Sequence, residues 1–454
     1  MRVASSYKDP SGFVYKKKDV FYRQIFSSYF DDYYTLMNGG LYSKLIADGF
    51  LIPHDEISRN KKKIVIKPKK IEFISYPYEW SFDQLRDAAL LTLKIHEISM
   101  KHGMTLKDAS PYNVQFLEGK PVLIDTLSFE RYENNQPWVA YKQFCELFLA
   151  PLLLMAKCDI KLQKLLQNFT DGIPLELSSK LLPFNSFFNV NILLHIHLHS
   201  MSQNRHSSTA DFDTTKKTVS VPEKKLLNII QNLTDFIKTI RLPKNLQSEW
   251  GTYYSDTSYK KNQIRTKKTE IKFFLSTHNI SSLWDFGGNN GYFSRVSTDV
   301  GIKTICFDID PVAVNQNYLS SREAGDKLML PLLLDLTNPS SDIGWNNNER
   351  LSIIKRGIPD CLMALALIHH LVFSKNIPLS YIFDLFYTHT KKYLIVEYVD
   401  KNDEQSLRLL RSKNGVFHNY SYDSFVSELN KKFKILYSKE IIDGKRTLFF
   451  CKKI

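Results

Sequence analysis

With 454 residues, 43% of them hydrophobic and 24% charged, the chain is too long for one ordinary core and reads as two or three globular domains. Its 61 basic against 47 acidic residues leave a formal charge of +14, but the excess is scattered and mostly lysine, so nucleic acid is not favoured as a partner. Five cysteines without a C-x-x-C pair suggest neither a zinc ribbon nor a disulfide framework; no apolar run approaches the ~20 residues of a spanning helix, and a cytoplasmic location is expected.

In chain order, the alternation of Phe13, Tyr15, Val20 and Tyr22 around a basic turn predicts a β-hairpin over Gly12–Phe26. Tyr33, Leu36, Leu41, Leu45 and Ile46 recur at helical spacing and predict an amphipathic helix. Lys61–Lys70 reads as a strand whose charged flank protects an edge. A broad apolar face over Phe82–His102 predicts a buried helix.

Next comes LKDASPYNVQFLEGKPVLIDTLSF, in which Asp108 and Asn113 are five apart, a hairpin turns at Gly119 and Lys120, and Asp125 closes a strand. This order resembles the catalytic and metal-binding loops of the protein-kinase-like fold, where the first Asp accepts the substrate proton and the Asn and second Asp hold magnesium under ATP. The resemblance implies an ATP and Mg2+ site at Asp108, Asn113 and Asp125. Departures stand beside it: Leu106 and Lys107 precede the first Asp, Thr126 and Leu127 follow Asp125, no glycine-rich loop comes earlier, and only Arg23 offers itself as the phosphate-pairing cation. The competing reading is that these side chains serve turns and caps. Further on, His195 and His199 would share a helix face, but no acid or cysteine lies nearby, so they are read as packing residues and no metal is assigned.

The composition shifts to Ser, Thr, Asn, Gln and Asp from Ser200 to Lys216, and Pro222 ends the stretch. This divides the chain into 1–199, a linker over 200–222, a helical lead-in over 223–280 and a last domain over 281–454. The lead-in carries an amphipathic helix, aromatic residues Trp250, Tyr253, Tyr254 and Tyr259 read either as a lid over a cofactor or as packing, and a basic helix burying Ile271, Phe274 and Leu275.

The stretch LWDFGGNNGYF, Leu283–Phe293, organises the last domain. A short apolar strand stops at Asp285 and breaks into a turn with Gly287, Gly288 and Gly291, because only glycine lets backbone approach a ligand so closely. A second strand ends at Asp308, some twenty residues on, where an acid accepts both hydroxyls of a ribose. A third, Leu328–Leu334, ends at Asp335. A fourth, Asp360–Leu367, runs into His369 and His370, and a fifth carries Glu397. Either histidine is a candidate base, with Glu397 facing the same site. Arg411 and Tyr420 are candidates to reach an anionic acceptor, and Phe433–Ile441 with Arg446–Cys451 predict a closing antiparallel pair.

The spacing of Asp285, Gly287 and Gly291, followed by these acids, is that of class I S-adenosylmethionine-dependent methyltransferases, with Asn289 where many members carry glycine. More specifically, LPLLLDLTNPSSDIGWNNNER, LALIHHLVFSKNIP and IVEYVDKND resemble the rhizobial nodulation host-specificity proteins and their bacterial relatives. ISYPYEWSFDQLRDAALLTL, LKDASPYNVQF and IDTLSFE resemble the same family's leading domain. The resemblance implies an α/β chain, in which an α+β kinase-like domain precedes a Rossmann-like methyltransferase domain with a seven-stranded mixed sheet. It implies methyl transfer with S-adenosyl-L-methionine as cofactor, held by Asp285, Gly287, Gly288, Gly291, Asp308, Asp335 and Leu336, but names no acceptor; the site residues are consistent with a hydroxyl or amine of a small molecule, glycan or lipid-linked intermediate. A bifunctional phosphotransferase, an RNA methyltransferase and a non-catalytic cofactor-binding protein remain open as alternatives.

Overall fold

A computed structural model describes residues 2–201, 220–243, 246, 260–410 and 419–454. Two units divide the chain: 1–246 together with 342–351, and 247–341 together with 352–454. No helix among the described residues is long and apolar enough to cross a membrane.

In the first unit, Lys18 and Asp19 both adopt left-handed backbone (φ 47° and 61°), the conformation of a two-residue turn matching strand twist. They join β1 (Gly12–Lys17) to β2 (Val20–Phe26) in the expected hairpin. The amphipathic stretch that follows is two helices, because Gly40 takes φ 80° between α1 (Phe30–Asn38) and α2 (Leu41–Ala47). β3 (His54–Arg59) and β4 (Lys63–Pro68) complete an antiparallel sheet of order β1-β2-β4-β3. Ile25, Tyr29, Tyr33, Ile64, Ile66 and Leu127 form one buried cluster against it.

The long helix α3 (Phe82–Met100) starts where Gln84 Oε1 accepts the Ser81 N–H at 2.9 Å. Beyond it, β5 (Met104–Leu106) pairs with β8 (Phe129–Arg131), and β6 (Val114–Leu117) with β7 (Lys120–Leu123). The remainder is helical, including Glu223–Thr239, whose buried face meets α3. Residues 342–351 also belong here: Leu351 donates its N–H to Tyr76 Oη at 2.8 Å, and the Arg350 guanidinium lies 4.0 Å from the Tyr112 ring centroid.

The second unit has one seven-stranded sheet. Its strands are β9 (Ser282–Phe286), β10 (Lys303–Asp308), β11 (Met329–Leu333), β12 (Cys361–Ala364), β13 (Tyr393–Val399), β14 (Phe433–Ile442) and β15 (Arg446–Lys453). The order is β11-β10-β9-β12-β13-β15-β14, with five parallel strands and β15 antiparallel to both its neighbours. Order and direction are those of the Rossmann-like class I methyltransferase fold. The strand order reverses between β9 and β12, so their carboxyl ends open the crevice in which such sheets bind ligands. Apolar runs on both faces of the central strands follow from helices on each side; Leu283, Met363, Ile395 and Phe450 are all buried in one cluster.

The aromatic residues Trp250, Tyr253, Tyr254 and Tyr259, Arg411, and most of the linker 200–222 lie outside the described residues. Of the lead-in expected over 223–280, the helix Glu223–Thr239 belongs to the first unit and Lys261–Thr277 to the second.

Candidate active site

At the carboxyl ends of β9, β10, β11 and β12 lies a cavity of about 410 Å³ whose wall includes Asp285, Gly287, Gly288, Asp308, Asp335 and Leu336. The turn after β9 is held from beneath: Gly287 and Gly288 both donate their N–H to the Phe307 carbonyl, at 2.9 and 3.0 Å. Asn289 follows at φ 52° and donates its N–H to Asp308 Oδ2 at 2.7 Å. Asparagine enters the left-handed region more readily than other non-glycine residues, so Asn289 preserves the turn that glycine makes elsewhere.

The glycines have separate duties. A Cβ on Gly288 would stand 2.5 Å from Cys306 Sγ and 2.8 Å from Asp285 Oδ2. Gly291 does not line the cavity; at φ 75° it lets the turn close on Asn317, whose side chain a Cβ would meet at 2.5 Å. Gly291→Ala is therefore expected to destabilise the fold by about 1–3 kcal/mol through overpacking and backbone strain. A shifted urea midpoint at unchanged slope would register it, and a wild-type midpoint would refute it.

Two buried carboxylates dominate the electrostatics. Asp285 accepts the Ser294 hydroxyl at 2.6 Å through Oδ2, while its buried Oδ1 has no hydrogen-bond partner among the described residues. Burial pushes its carboxyl up to about 7, and the charge of Asp308 adds to the rise. Asp308 accepts the Asp310 N–H at 2.8 Å as well as that of Asn289; burial still raises it to about 6. Asp310 caps the helix Pro311–Glu323 instead, accepting from Val312 at 2.9 Å. Asp335 accepts the Thr337 N–H and hydroxyl, at 2.9 and 2.7 Å. An orphaned carboxylate oxygen, a ribose-spaced acid and a glycine turn that tolerates no Cβ fit an S-adenosyl ligand.

The fourth strand is shorter than expected. Ala366 takes φ 48° and ends the extended run, and a helix begins at Ile368. The His369 and His370 rings lie side by side, centroids 4.1 Å apart, but only His370 lines the cavity; His369 is fully buried and does not. Neither ring nitrogen of His369 finds a hydrogen-bond partner among the described residues. Burial, then the nearby Arg446 charge, pushes His370 down to about 4.

Glu397 also stands back from the cavity. Its Oε2 accepts from Lys267 Nζ at 2.6 Å, and the lysine, 4.5 Å from the Phe293 ring centroid, forms the wall. The sequence reading missed Lys267. Its signal was present, since Lys267, Ile271, Phe274 and Leu275 lie on one helical face, placing a lysine on an apolar stripe. Tyr420 is no anion contact: it is buried and donates to the Val399 carbonyl at 2.7 Å.

In the first unit the side chains expected to hold ATP and Mg2+ have other partners. Asp125 pairs with Arg23 and caps Leu127, accepting its N–H at 2.8 Å. Asp108 accepts from Ser110 at 3.0 Å and Gln143 at 2.9 Å, and Asn113 reaches Ser128 at 3.4 Å. Among the described residues no group of three or more His, Cys, Asp or Glu side chains is placed to hold a metal ion. His195 lies between Tyr141 and Asn232, at 2.7 and 2.9 Å, as a packing histidine does.

No family model matches the chain. It is 32% identical over 458 residues to nodulation protein NoeA of Rhizobium meliloti strain 1021, an alignment spanning 99% of this chain and 95% of that one. Among solved structures, magnesium protoporphyrin IX methyltransferase of Synechocystis PCC 6803 with bound SAH aligns at 15% identity over 45% of this chain and 93% of its own, with a TM-score of 0.33. N-methyltransferase NodS of Bradyrhizobium japonicum WM9 aligns at 11% identity over 42% and 97%, with a TM-score of 0.32.

Proposed function

Because the chain belongs to the family of nodulation protein NoeA, and its second unit places two buried carboxylates around a glycine turn, we propose that it is an S-adenosylmethionine-dependent methyltransferase. The observation that carries the reading is the buried, unpartnered Oδ1 of Asp285 beside Asp308, in the wall of one cavity.

In this reading Asp308 accepts the ribose hydroxyls, Asp335 and Leu336 flank the adenine, and Asp285 faces the amino-acid end. The cofactor, when bound, supplies a methyl group already activated on its sulfonium. What the chain adds is alignment of the acceptor and exclusion of water, since in-line displacement needs little else. His370 stands on the acceptor side. Its lowered pKa keeps the imidazole neutral at neutral pH and makes it a weak base, so its role is to accept a hydrogen bond from the hydroxyl or amine and orient it rather than to carry off its proton. His369 and Glu397 act behind it, through packing and through Lys267. A hydroxyl or neutral amine of a small molecule, glycan or lipid-linked intermediate suits such a site.

The first unit we read as kinase-like. What supports this is a β1-β2-β4-β3 sheet with two helices between β2 and β3, then a long helix, the Asp108–Asn113 loop, a hairpin and Asp125. The Arg23 guanidinium already neutralises Asp125, which favours recognition of the acceptor over phosphoryl transfer.

Calorimetric titration of the full chain with S-adenosylhomocysteine tests the reading, with one-to-one binding expected and absence of heat overturning it. His370→Ala is expected to leave that affinity within about twofold while lowering methyl transfer from labelled cofactor about tenfold; full turnover would remove His370 from the reaction.

A further inference from the structure

The segment between Lys180 and Arg205 contains no Asp, Glu, Lys or Arg. It nevertheless exposes large apolar side chains: Phe184 is 78% exposed, Phe188 77% and Val190 74%, with Leu194, Leu198 and Met201 also exposed. They are one surface. The Phe184 and Phe188 rings lie 5.8 Å apart, and Phe187 stacks at 3.7 Å on His197, which sits between Leu194 and Leu198 in sequence. His197 is itself fixed by Ser179 and Ser186, at 2.7 and 2.9 Å, so the patch is built on an ordered base.

At ~150–250 Å² for a large apolar side chain, these exposures amount to roughly 600–900 Å². That exceeds the ~300–600 Å² of the largest patch on a typical monomer and matches the ~800 Å² that each partner contributes to a standard interface. Its composition, phenylalanine and methionine without charge, is that of an interface core.

We propose that this face is the contact between two copies of the chain, related by a twofold axis that brings each patch onto its equal. The neighbouring charges separate this occupant from a lipid surface. A helix that lies on a membrane carries lysine and arginine along its own polar face, whereas the stretch 181–201 carries neither; of the exposed lysines nearest it in sequence, Lys180 pairs with Glu176 at 2.6 Å, and Lys157, Lys161 and Lys164 belong to a separate segment that also exposes Asp159. Two copies at +14 each repel one another, so an apolar contact between them tightens when salt screens that repulsion.

Sedimentation velocity on the full chain at micromolar concentration tests the proposal. The expected species has twice the 52.9 kDa chain mass, with a dimer Kd that falls as salt rises from about 0.1 to 0.5 M. Phe184→Asp and Phe188→Asp, each at an exposed position, are expected to weaken dimerisation at least 100-fold while the far-ultraviolet circular dichroism of the folded chain is unchanged. A wild-type chain that stays monomeric to about 50 μM, or variants that still dimerise, would overturn it. So would flotation with phosphatidylserine vesicles by a monomer, lost in the variants, which would assign the patch to a bilayer.

Discussion

Asp308→Ala is expected to weaken S-adenosylhomocysteine binding by about 100-fold or more. The carboxylate would receive two ribose hydroxyls, and charge-assisted hydrogen bonds contribute about 1.5–3 kcal/mol each, so losing both accounts for that factor. It also organises the turn, because the Asn289 and Asp310 N–H groups both point at it. Asp308→Asn keeps an acceptor for one of these and separates loss of charge from loss of the turn. The sign with pH follows. Ribose hydroxyls donate to ionised Asp308, which forms above about 6, and the ammonium of the amino-acid end pairs with ionised Asp285, which forms above about 7. Affinity should therefore improve as pH rises through that window and fall up to about tenfold per unit below it. Asp308→Asn should remove the part of this dependence that belongs to Asp308 and leave that of Asp285. Binding by Asp308→Ala at wild-type affinity would remove the ribose assignment.

The second large effect is expected at Lys267. Lys267 and Glu397 are both essentially inaccessible to solvent, joined at 2.6 Å. Burial pulls the lysine's pKa down and the charge of Glu397 holds it up, so the pair persists through mutual compensation. Lys267→Met removes that compensation and should cost about 3–5 kcal/mol. Lys267→Met with Glu397→Leu should recover most of the loss, since replacing both partners by apolar groups is often neutral. Urea denaturation of the two single variants and the double variant measures this. A double variant as unstable as Lys267→Met would mean that the lysine acts through other contacts.

What was legible in the sequence was whatever is set locally. Asp285, Gly287, Asp308 and Asp335 each stand where an apolar strand stops, and strand ends are marked by the residues themselves. The hairpins at Lys18–Asp19 and Asp443–Gly444 are likewise short-range events. The fourth strand failed at Ala366, because nothing about alanine announces a left-handed backbone; both histidines were consequently brought to the site, although only His370 lines it. Lys267 with Glu397 and Arg23 with Asp125 were illegible for another reason. Their partners are separated by 130 and 102 residues, and only tertiary packing brings them together. In isolation such a lysine reads as solvated, and such a carboxylate as a ligand.

The excursion 342–351 bears on how the chain is made. The body of the first unit ends at Leu246, yet the unit is completed only when residues 342–351 arrive. At about 5–20 residues per second, roughly 5 to 20 seconds of synthesis pass in between, and β9, β10 and β11 emerge during them. Tyr7, Tyr76 and Tyr112 wait throughout for Glu349, Leu351 and Arg350. The two units are therefore assembled in interleaved order, and a chain cut at Leu246 would leave the first unit without its last piece.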